Sequence, residues 1–392
     1  MRHGGEQGMR IGVLTGGGDV PGLNPCIKAL TWRAGERGWE VLGFRRGWHG
    51  PLFYDPDDPE GSEAHIIRLD REAVRTIDRS GGTMLHTSRT DPRRMPEERL
   101  PAFLRGTLAP AADGMVDCTG HVLRVMEALG IDVMVTIGGD GTLTFSAHLH
   151  RQGLKIISIP KTMDNDVFGT DYCIGFSTAV SRSVGYINAL RTSTGSHERI
   201  AVVELFGRHS GETALIASYL ADVDRALIAE VPFDIGRLSE MVAADRARNP
   251  SNYAMVVVSE GATMLGGGLF EHGEADEHGR RRLGGVGQVL GDEITRITGI
   301  DTISQSLGYL MRAGAPDALD QMVAKSYGAL AVQMIAEGRT GLMTVIHDGK
   351  YDVVPADTCM SGKRRVDVSA LYDADTYRPR IANVHGKAMF LN

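Results

Sequence analysis

The feature that most constrains the fold of this 392-residue chain is an alternation of short, apolar, β-branched runs with longer amphipathic stretches. The runs occupy residues 11–14, 41–44, 133–137, 156–159, 201–205 and 255–259. Continuous apolar runs of this length are typical of strands covered on both faces of a parallel sheet, and amphipathic stretches are typical of the crossover helices between them. The sequence therefore predicts an α/β fold with doubly wound, mostly parallel sheets.

The length of the chain favours two domains, because one hydrophobic core rarely grows to this size. We expect two Rossmann-like, three-layer domains over 9–175 and 176–334, with 335–392 as a candidate to complete the first. One large interdigitated unit is the alternative. A polar segment at 271–282, rich in charged residues, is predicted to be an exposed loop.

Composition excludes several classes of partner. The formal net charge of -7 gives no general attraction to nucleic acid or to anionic lipid. No apolar stretch reaches membrane-spanning length, and residues 1–9 lack the apolar centre of a signal peptide. The four cysteines are scattered, which argues against a zinc site or a disulfide framework. We therefore expect a cytoplasmic protein that binds small molecules at a local site, with no nucleic acid or membrane partner.

A glycine-rich turn follows the first strand. The segment Thr-Gly-Gly-Gly-Asp at 15–19 includes Gly17 and Gly18 and leads into a helical pattern. Backbone without side chains can bring N–H groups against phosphate oxygens at a helix N-terminus. A tight turn that needs glycine for its backbone angles is the alternative for one such loop taken alone.

A second strand, 133–137, ends in Gly-Gly-Asp-Gly-Thr at 138–142 and repeats this arrangement. The repeat adds a carboxylate, Asp140. Magnesium prefers one or two carboxylates together with phosphate oxygens, so Asp140 is a candidate ligand of Mg²⁺. A helix N-cap is the alternative role for this aspartate.

A third strand, 156–159, runs into Pro-Lys-Thr-Met-Asp-Asn-Asp at 160–166. The carboxyl ends of neighbouring strands in an open α/β sheet face one crevice, so this segment should adjoin the two glycine loops. Lys161 supplies a cation, Thr162 a hydroxyl, and Asp164 and Asp166 two carboxylates. These groups favour phosphate binding together with general base catalysis, and a solvated turn is the alternative.

In this order and spacing, the segments TGGGDVPGLN, GGDGT, PKTMDND and ELFGRHSG resemble the phosphofructokinase family. The resemblance covers roughly residues 10–335 and implies a phosphofructokinase-like fold, with a donor domain over 9–175 and a sugar-acceptor domain over 176–334. It implies a magnesium-dependent kinase that moves a phosphoryl group from ATP or pyrophosphate to a sugar phosphate. It also implies a homodimer or homotetramer whose sites are shared between subunits.

The resemblance assigns roles residue by residue. Asp164 matches the base that takes the proton of the sugar hydroxyl, and the other implied catalytic residues are Lys161, Thr162 and Arg208. The implied donor-binding residues are Gly17, Gly18, Arg89, Gly139, Asp140, Gly141 and Thr142, with magnesium beside Asp140. The implied acceptor-binding residues are Thr162, Asp166, Arg199, Phe206, Gly207, Arg208, Glu260, Tyr309 and Arg312. Among these, Arg199 matches an arginine that family members contribute from a neighbouring subunit.

The acceptor segment departs from the family pattern. The family has an arginine nine residues before the position of Arg312, whereas this chain has Ile303. The acceptor is expected to be fructose 6-phosphate. Ile303 leaves open a different acceptor, such as sedoheptulose 7-phosphate or an unphosphorylated sugar or polyol, unless Arg296 serves instead. A non-catalytic nucleotide-binding homologue is the third hypothesis.

Two markers of the donor disagree. Gly141 resembles ATP-using members of the family, and Lys161 resembles members that use pyrophosphate. We favour ATP because a glycine leaves room for the nucleotide, although Phe145, one helical turn later, could crowd an adenosine. Trp48 is expected to fill the core, with stacking on adenine as the alternative.

Overall fold

The computed structural model of the protein describes residues 8–267, 271–272, 282–382 and 385–386. The strands, in chain order, are β1 (Arg10–Gly16), β2 (Glu40–Phe44), β3 (Ile66–Leu69), β4 (Met95–Pro96), β5 (Met115–Val116), β6 (Val133–Gly138), β7 (Ile156–Pro160), β8 (Ile200–Leu205), β9 (Arg225–Leu227), β10 (Ala254–Ser259), β11 (Glu271–His272), β12 (Arg282–Leu283), β13 (Thr302–Ser306), β14 (Leu342–His347), β15 (Lys350–Pro355), β16 (Tyr372–Asp373) and β17 (Arg378–Pro379). Residues 1–7 and most of the polar segment 271–282 lie outside the described residues.

The α-helices, in the same order, are α1 (Leu23–Gly35), α2 (His49–Phe53), α3 (Thr119–Ala128), α4 (Asp140–Arg151), α5 (Phe176–Ser196), α6 (Glu212–Leu220), α7 (Ile235–Arg248), α8 (Val286–Thr298), α9 (Ala318–Ala336) and α10 (Val368–Leu371). Short 3₁₀ helices occupy Glu63–His65, Ile77–Arg79, Glu97–Arg99, Ala102–Leu104, Gly308–Arg312 and Ala356–Met360.

The first of two compact units comprises Met1–Thr162, Val167–Gly175 and Ala313–Gly362. Its seven-stranded sheet has the order β15-β14-β7-β6-β1-β2-β3. The inner strands pair in parallel, and the two edge strands, β15 and β3, pair antiparallel with their neighbours. All residues of β6 and β7 are buried. Burial on both faces explains why these strands are continuous apolar runs in the sequence.

The second unit comprises Met163–Asp166, Phe176–Arg312 and Lys363–Asn392. Its sheet has the order β13-β8-β10-β9, and every neighbouring pair is parallel. Strands β8 and β10 are buried throughout. Tyr372 and Tyr377, from the C-terminal segment, are buried in the same core as residues of both strands. The C-terminal segment is therefore part of this unit's hydrophobic core.

The structure divides the chain differently from the predicted ranges 9–175 and 176–334. Residues 313–334 belong to the first unit because α9 packs closely on α1: a Cβ added at Gly328 would lie 2.6 Å from the Cys26 carbonyl oxygen. Residues 363–392 belong to the second unit rather than the first, as do residues 163–166. Helix-to-helix packing and core burial decide these assignments, and neither is visible in local sequence patterns.

Among the described residues, no helix combines the length and apolar character that a bilayer crossing requires. All four cysteines, at positions 26, 118, 173 and 359, are buried, and none of them is part of a disulfide.

Candidate active site

Three strands of the first unit end side by side, and each is followed by one of the sequence segments singled out above. Gly16 at the end of β1 is in register with Gly138 at the end of β6, which is in register with Pro160 at the end of β7. The backbone N–H of Lys161 donates to the Gly138 carbonyl, with 2.9 Å between nitrogen and oxygen. The carboxyl ends of neighbouring parallel strands thus bring both glycine loops and Lys161 together.

The loop after β1 is held by hydrogen bonds on both sides of Gly17. Gly17 has a φ of 83°, a left-handed conformation that favours glycine. Its N–H donates to the Ser88 carbonyl at 2.8 Å, and its own carbonyl accepts from the Thr87 hydroxyl at 2.7 Å. The Gly17 amide is therefore committed within the protein and is not the group that would bind phosphate.

Lys161, the residue after β7, is a buried cation that contacts the glycine loop after β1. Its ammonium donates to the Gly18 carbonyl at 2.5 Å, and a Cβ added at Gly17 would lie 3.3 Å from Nζ. Only 3% of the residue is exposed. The arrangement places a positive charge against the glycine loop, where an anionic ligand would be attracted.

Thr142 serves as a packing residue for the glycine loops. Its side chain is buried, and a Cβ added at Gly138 would lie 2.5 Å from the Thr142 Cβ. A Cβ added at Gly16 would overlap the Thr142 hydroxyl. Glycine is required at positions 16 and 138 because the first turn of α4 approaches both closely. The Thr142 side chain therefore packs against both glycine loops.

Asp140 is the first residue of α4, and Gly139 occupies the N-cap position without a side-chain cap. The alternative role of Asp140 as an N-cap is therefore wrong. Next to it, a Cβ added at Gly141 would meet no atom within 4 Å. Internal packing does not require glycine at position 141, which is compatible with a bound ligand passing over it.

Asp140 also bears on the implied metal. The described residues hold no group of three or more histidines, cysteines or acids placed to bind a metal. Magnesium sites that use one protein carboxylate, with phosphate and water as the other ligands, need no such group. A carboxylate at a helix N-terminus between two glycine loops fits that kind of site.

Arg89 is placed beside the first glycine loop by its neighbours. The preceding residue, Ser88, accepts the hydrogen bond from Gly17, and its hydroxyl donates to the Arg46 carbonyl at 2.6 Å. The Thr83 and Thr15 hydroxyls are 2.9 Å apart. Arg89 itself is exposed.

Two aromatic residues that could have contacted a nucleotide lie in the core instead. Trp48 and Phe145 are 1% and 0% exposed and pack edge to face, with ring centroids 4.9 Å apart. The expectation that Trp48 fills the core is confirmed. The Phe145 side chain lies in the core and not on the exposed face of α4. The suggestion that it crowds an adenosine is therefore wrong.

Thr162 ends the first segment of the first unit, and Met163–Asp166 is a loop of the second unit, here called the acid loop. The acid loop contains Asp164, and its Oδ1 is buried although the residue as a whole is partly exposed. Burial raises the pKa of Asp164 from 3.8 to about 8, and repulsion from Asp166 and Glu260 adds to the rise. A hydrogen bond and the positive charge of Arg208 oppose it. Asp164 thus keeps its proton to a higher pH than an ordinary aspartate does.

Arg208 and Glu260 follow the parallel strands β8 and β10, whose last residues are in register. Gly207 has a φ of 137°, and its carbonyl accepts from the Ser259 hydroxyl at 2.5 Å and the Gly261 N–H at 3.1 Å. A side chain at Gly207 would collide with that hydroxyl. Glycine at this position therefore lets the two strand ends bring Arg208 and Glu260 towards the acid loop.

Three predicted acceptor residues form an aromatic and cationic cluster. The Arg312 guanidinium lies 4.5 Å from the ring centroid of Tyr309 and 5.9 Å from that of Phe206. The two rings are 5.9 Å apart and nearly perpendicular. Cation–π contact limits the directions in which Arg312 can point. Tyr309 is 70% exposed, so the cluster lies at the surface of the second unit.

Comparisons with known proteins agree with this arrangement of strands and motifs. A family model described as "Phosphofructokinase" matches residues 10–335. The chain belongs to the phosphofructokinase family. It is 37% identical to the "ATP-dependent 6-phosphofructokinase" of Chloroflexus aggregans, over 89% of this chain and 91% of that protein.

A relative named for a different phosphoryl donor is about as similar in sequence, and a solved structure is similar in fold. The chain is 38% identical to the "Pyrophosphate--fructose 6-phosphate 1-phosphotransferase" of Amycolatopsis methanolica, over 86% of this chain and 90% of that protein. In fold it is similar to the solved "Pyrophosphate-dependent phosphofructokinase" of Nitrosospira multiformis, with a TM-score of 0.74 at 19% identity, covering 95% of this chain and 89% of the other. The predicted α/β fold is confirmed, and the chain is a kinase-type phosphotransferase.

Arg199 lies apart from the other predicted acceptor residues of this phosphofructokinase. It immediately precedes β8, whereas Arg208 follows that strand, so the length of β8 separates their backbones by about 17 Å. Its guanidinium pairs with Asp301 at 3.6 Å. Arg199 and Arg208 therefore lie at opposite ends of β8. The expectation that it serves a neighbouring subunit's site stays a prediction.

Ile303 occupies the same end of the sheet as Arg199, because β13 pairs Ile303 with Ala201. The suggested replacement cation, Arg296, lies on α8 and pairs with Glu293 at 2.7 Å. That pairing gives Arg296 a local role on its own helix.

Two contacts of the acid loop were not predicted from the sequence. Arg364 donates from Nη1 to the Asn165 carbonyl at 3.1 Å and pairs with Glu212. Asn165 donates from Nδ2 to Glu212 at 3.2 Å. Asn165 is part of the PKTMDND segment, but Arg364 lies beyond the residues that match the family, in a basic run at 363–365 that carries no recognisable motif.

Proposed function

We propose that this phosphofructokinase transfers the terminal phosphoryl group of ATP to the 1-hydroxyl of fructose 6-phosphate. Asp164 takes the hydroxyl proton as the oxygen attacks phosphorus, and the bond from phosphorus to the leaving oxygen of the donor breaks. The charge environment of Asp164 is the observation that carries the proposal.

A general base works best when its pKa is close to the operating pH. An aspartate in water is too weak a base, with an ordinary pKa of 3.8, whereas Asp164 has a pKa of about 8. The repulsion from Asp166 and Glu260 favours protonation of Asp164, whereas the positive charge of Arg208 favours its ionised form. A loop with only a structural role has no need to place Asp164 under the influence of two further carboxylates, Asp166 and Glu260, and of the Arg208 cation.

The donor phosphates are assigned to the glycine loops of the first unit. Lys161 lies against Gly18, the N-terminus of α4 follows Gly139, and Arg89 is exposed beside the loop. These groups offer positive charge and helix-dipole attraction to a triphosphate. Asp140 would hold magnesium together with the donor phosphates, and the ion would supply positive charge to offset the negative charge of the transferred group.

ATP is proposed over pyrophosphate because of Gly141. No atom lies within 4 Å of a Cβ placed there, and Phe145 is packed in the core, so both positions leave room for a nucleotide. Pyrophosphate is the second candidate, because Lys161 resembles the pyrophosphate-using members and relatives named for either donor are about equally similar.

Fructose 6-phosphate is proposed as the acceptor because the relatives of Amycolatopsis methanolica and Dictyoglomus thermophilum are named for it. Nothing in the comparisons supports sedoheptulose 7-phosphate, an unphosphorylated sugar or a non-catalytic role. The acceptor is assigned to the second unit. Its proposed contacts, together with Thr162 of the acid-loop connection, are Asp166, Phe206, Gly207, Arg208, Glu260, Tyr309 and Arg312. Arg199 would act on the site of a neighbouring subunit in a homodimer or homotetramer.

A matrix assay tests the proposal: ATP and pyrophosphate are each combined with fructose 6-phosphate, sedoheptulose 7-phosphate and fructose, with and without magnesium. We expect turnover with ATP and fructose 6-phosphate that requires magnesium and has a KM for the sugar between about 1 μM and 1 mM. Turnover with pyrophosphate alone would overturn the donor assignment. A higher kcat/KM for another acceptor would overturn the acceptor assignment.

A further inference from the structure

We propose that Arg364, in the C-terminal segment beyond the family match, is a positioning residue that holds the acid loop and thereby orients Asp164. The inference rests on the proposed function, because it takes Asp164 to be the base. All the contacts that carry it lie within the second unit.

Arg364 donates hydrogen bonds to the two residues of the acid loop that follow Asp164. Its Nη1 donates to the Asn165 carbonyl at 3.1 Å, and its backbone N–H donates to the Asp166 carbonyl at 3.1 Å. Fixing two consecutive carbonyls restricts the backbone torsions next to Asp164. The direction of the Asp164 carboxyl depends on those torsions, because its side chain has only two rotatable bonds of its own.

Helix α6 completes the attachment from the other side. Glu212 pairs with Arg364 and accepts from Asn165 Nδ2 at 3.2 Å, while the Thr213 hydroxyl donates to the Met163 carbonyl at 2.8 Å. Glu212 is 4% exposed, so its carboxylate is matched to the guanidinium inside the protein. Arg364 and α6 therefore hold the acid loop from both of its ends.

The backbone of the acid loop turns at the residue after the base. Asn165 has a φ of 54°, in the left-handed region that asparagine adopts more readily than most residues. Asn165 is also the residue whose carbonyl and side-chain amide are both bound by the Arg364 and Glu212 pair. The pair therefore holds the turn residue that directly follows the base.

Arg364 is itself anchored by its own segment. Two residues later, the Val366 N–H donates to Glu230 at 3.0 Å, and the Glu230 carboxylate also accepts from the Gly211 N–H at the start of α6. Val366 is 7% exposed and belongs to the core of the unit. The C-terminal segment thus brings a fixed guanidinium to the acid loop, which gives a role in catalysis to residues outside the family motifs.

The test replaces the ion pair without leaving a buried charge. In the double variant Arg364→Met/Glu212→Gln, the glutamine can still accept from Asn165, while the bond from Arg364 to the Asn165 carbonyl is lost. We expect kcat with ATP and fructose 6-phosphate to fall between about tenfold and 100-fold, because a misplaced base reacts slowly. The KM of each substrate should change by less than about threefold, because binding residues are untouched. A folded double variant with wild-type kcat would overturn the proposal.

Three further variants separate positioning from general damage. Arg364→Lys, which keeps the charge, should restore part of kcat. Arg378→Met removes another arginine of the C-terminal segment, which bonds to the Asp224 carbonyl and to Asp245, and should leave kcat unchanged. Added to Asp164→Asn, the double variant should cause no further loss, because Arg364 acts through Asp164. A further loss in that background would contradict the positioning role.

The same set distinguishes the two proposals. If Asp164→Asn alone keeps normal turnover, the assignment of the base fails. If Asp164→Asn is inactive and the Arg364 variants keep a normal kcat, only the positioning role fails.

Discussion

The candidate sites of the two units of this phosphofructokinase are built by different physical means. In the first unit, the loops after β1 and β6 are shaped by glycine backbone, and the side chains of Thr142 and Lys161 pack against them. In the second unit, the candidate site is made of ionisable side chains, and the pKa of Asp164 is set by burial and by the charges of Asp166, Glu260 and Arg208. Ligand binding at a site made of backbone depends on the space that the glycines leave. The activity of a site made of ionisable side chains depends on pH. Substitutions in the two units should therefore fail in different ways.

The largest effect is expected from Asp164→Asn. Loss of a general base lowers kcat by about 10²- to 10⁴-fold, while the fold is kept because asparagine has nearly the same shape. Steady-state kinetics and a thermal melt measure both. Asp224→Asn is the matched control, since Asp224 is another aspartate of the second unit whose pKa is raised by burial. A kcat for Asp164→Asn close to that of the control would exclude Asp164 as the base.

Lys161→Met tests the cation of the first unit. In the proposed mechanism the ammonium beside Gly18 balances charge on the transferred phosphoryl group, so its removal should lower kcat by roughly 100-fold. Lys28→Met is the control, because Lys28 is a largely buried lysine of the same unit that pairs with Asp78. The loss should be the same from pH 6.5 to 9, in contrast to the acid loop. A loss of kcat confined to one end of that pH range would contradict the expected difference between the two units.

Gly141→Asp tests whether the space over α4 is used by ATP. The new side chain enters open space and should not lower the melting temperature. It should raise the KM of ATP by about tenfold or more, because it adds bulk and a like charge beside the triphosphate. Gly138→Ala is the contrasting variant, since its Cβ would lie 2.5 Å from Thr142 and should destabilise the fold. Unchanged use of ATP by Gly141→Asp would place the nucleotide elsewhere.

A smaller effect is expected in the pH profile. The acidic limb of kcat/KM for the wild type should have its midpoint near the Asp164 pKa of about 8, with activity rising as Asp164 ionises. Asp166→Asn removes a repulsive charge, so the midpoint should move to lower pH, by on the order of one unit. Profiles normalised to their own maxima isolate this shift from any loss of rate. An unmoved midpoint would mean that a different group titrates.

The smallest effect concerns stability. Asp164 has a higher pKa in the folded state than its ordinary value of 3.8, so the folded protein binds this proton more tightly. Its contribution to stability is therefore lost as pH rises from about 4 to about 8. Asp164→Asn lacks this dependence. Relative to the wild type, its melting temperature should increase by a few °C between pH 5 and pH 8.5. A difference in melting temperature that does not change with pH would show that burial does not raise the pKa of Asp164 in the folded protein.

Much of the first unit could be predicted from the sequence, because its site is encoded locally. Each glycine loop directly follows a strand, and the apolar runs that marked β1, β6 and β7 are buried strands in the structure. The direction of Phe145 could not be predicted, since helical spacing alone does not say which face of α4 meets the core. Arg199 and Ile303 likewise needed the sheet register to show that they share the amino ends of β8 and β13.

The sequence by itself determined the family, the strand that each motif follows and the identity of the candidate base, because these depend on residues that are close together in the chain. Only the tertiary structure decided the pKa of Asp164, the division of the chain into units and the attachment of the acid loop by Arg364. Those properties arise from burial and from charges brought together across about 200 residues, from Asn165 to Arg364. Local patterns carry no record of such distant contacts.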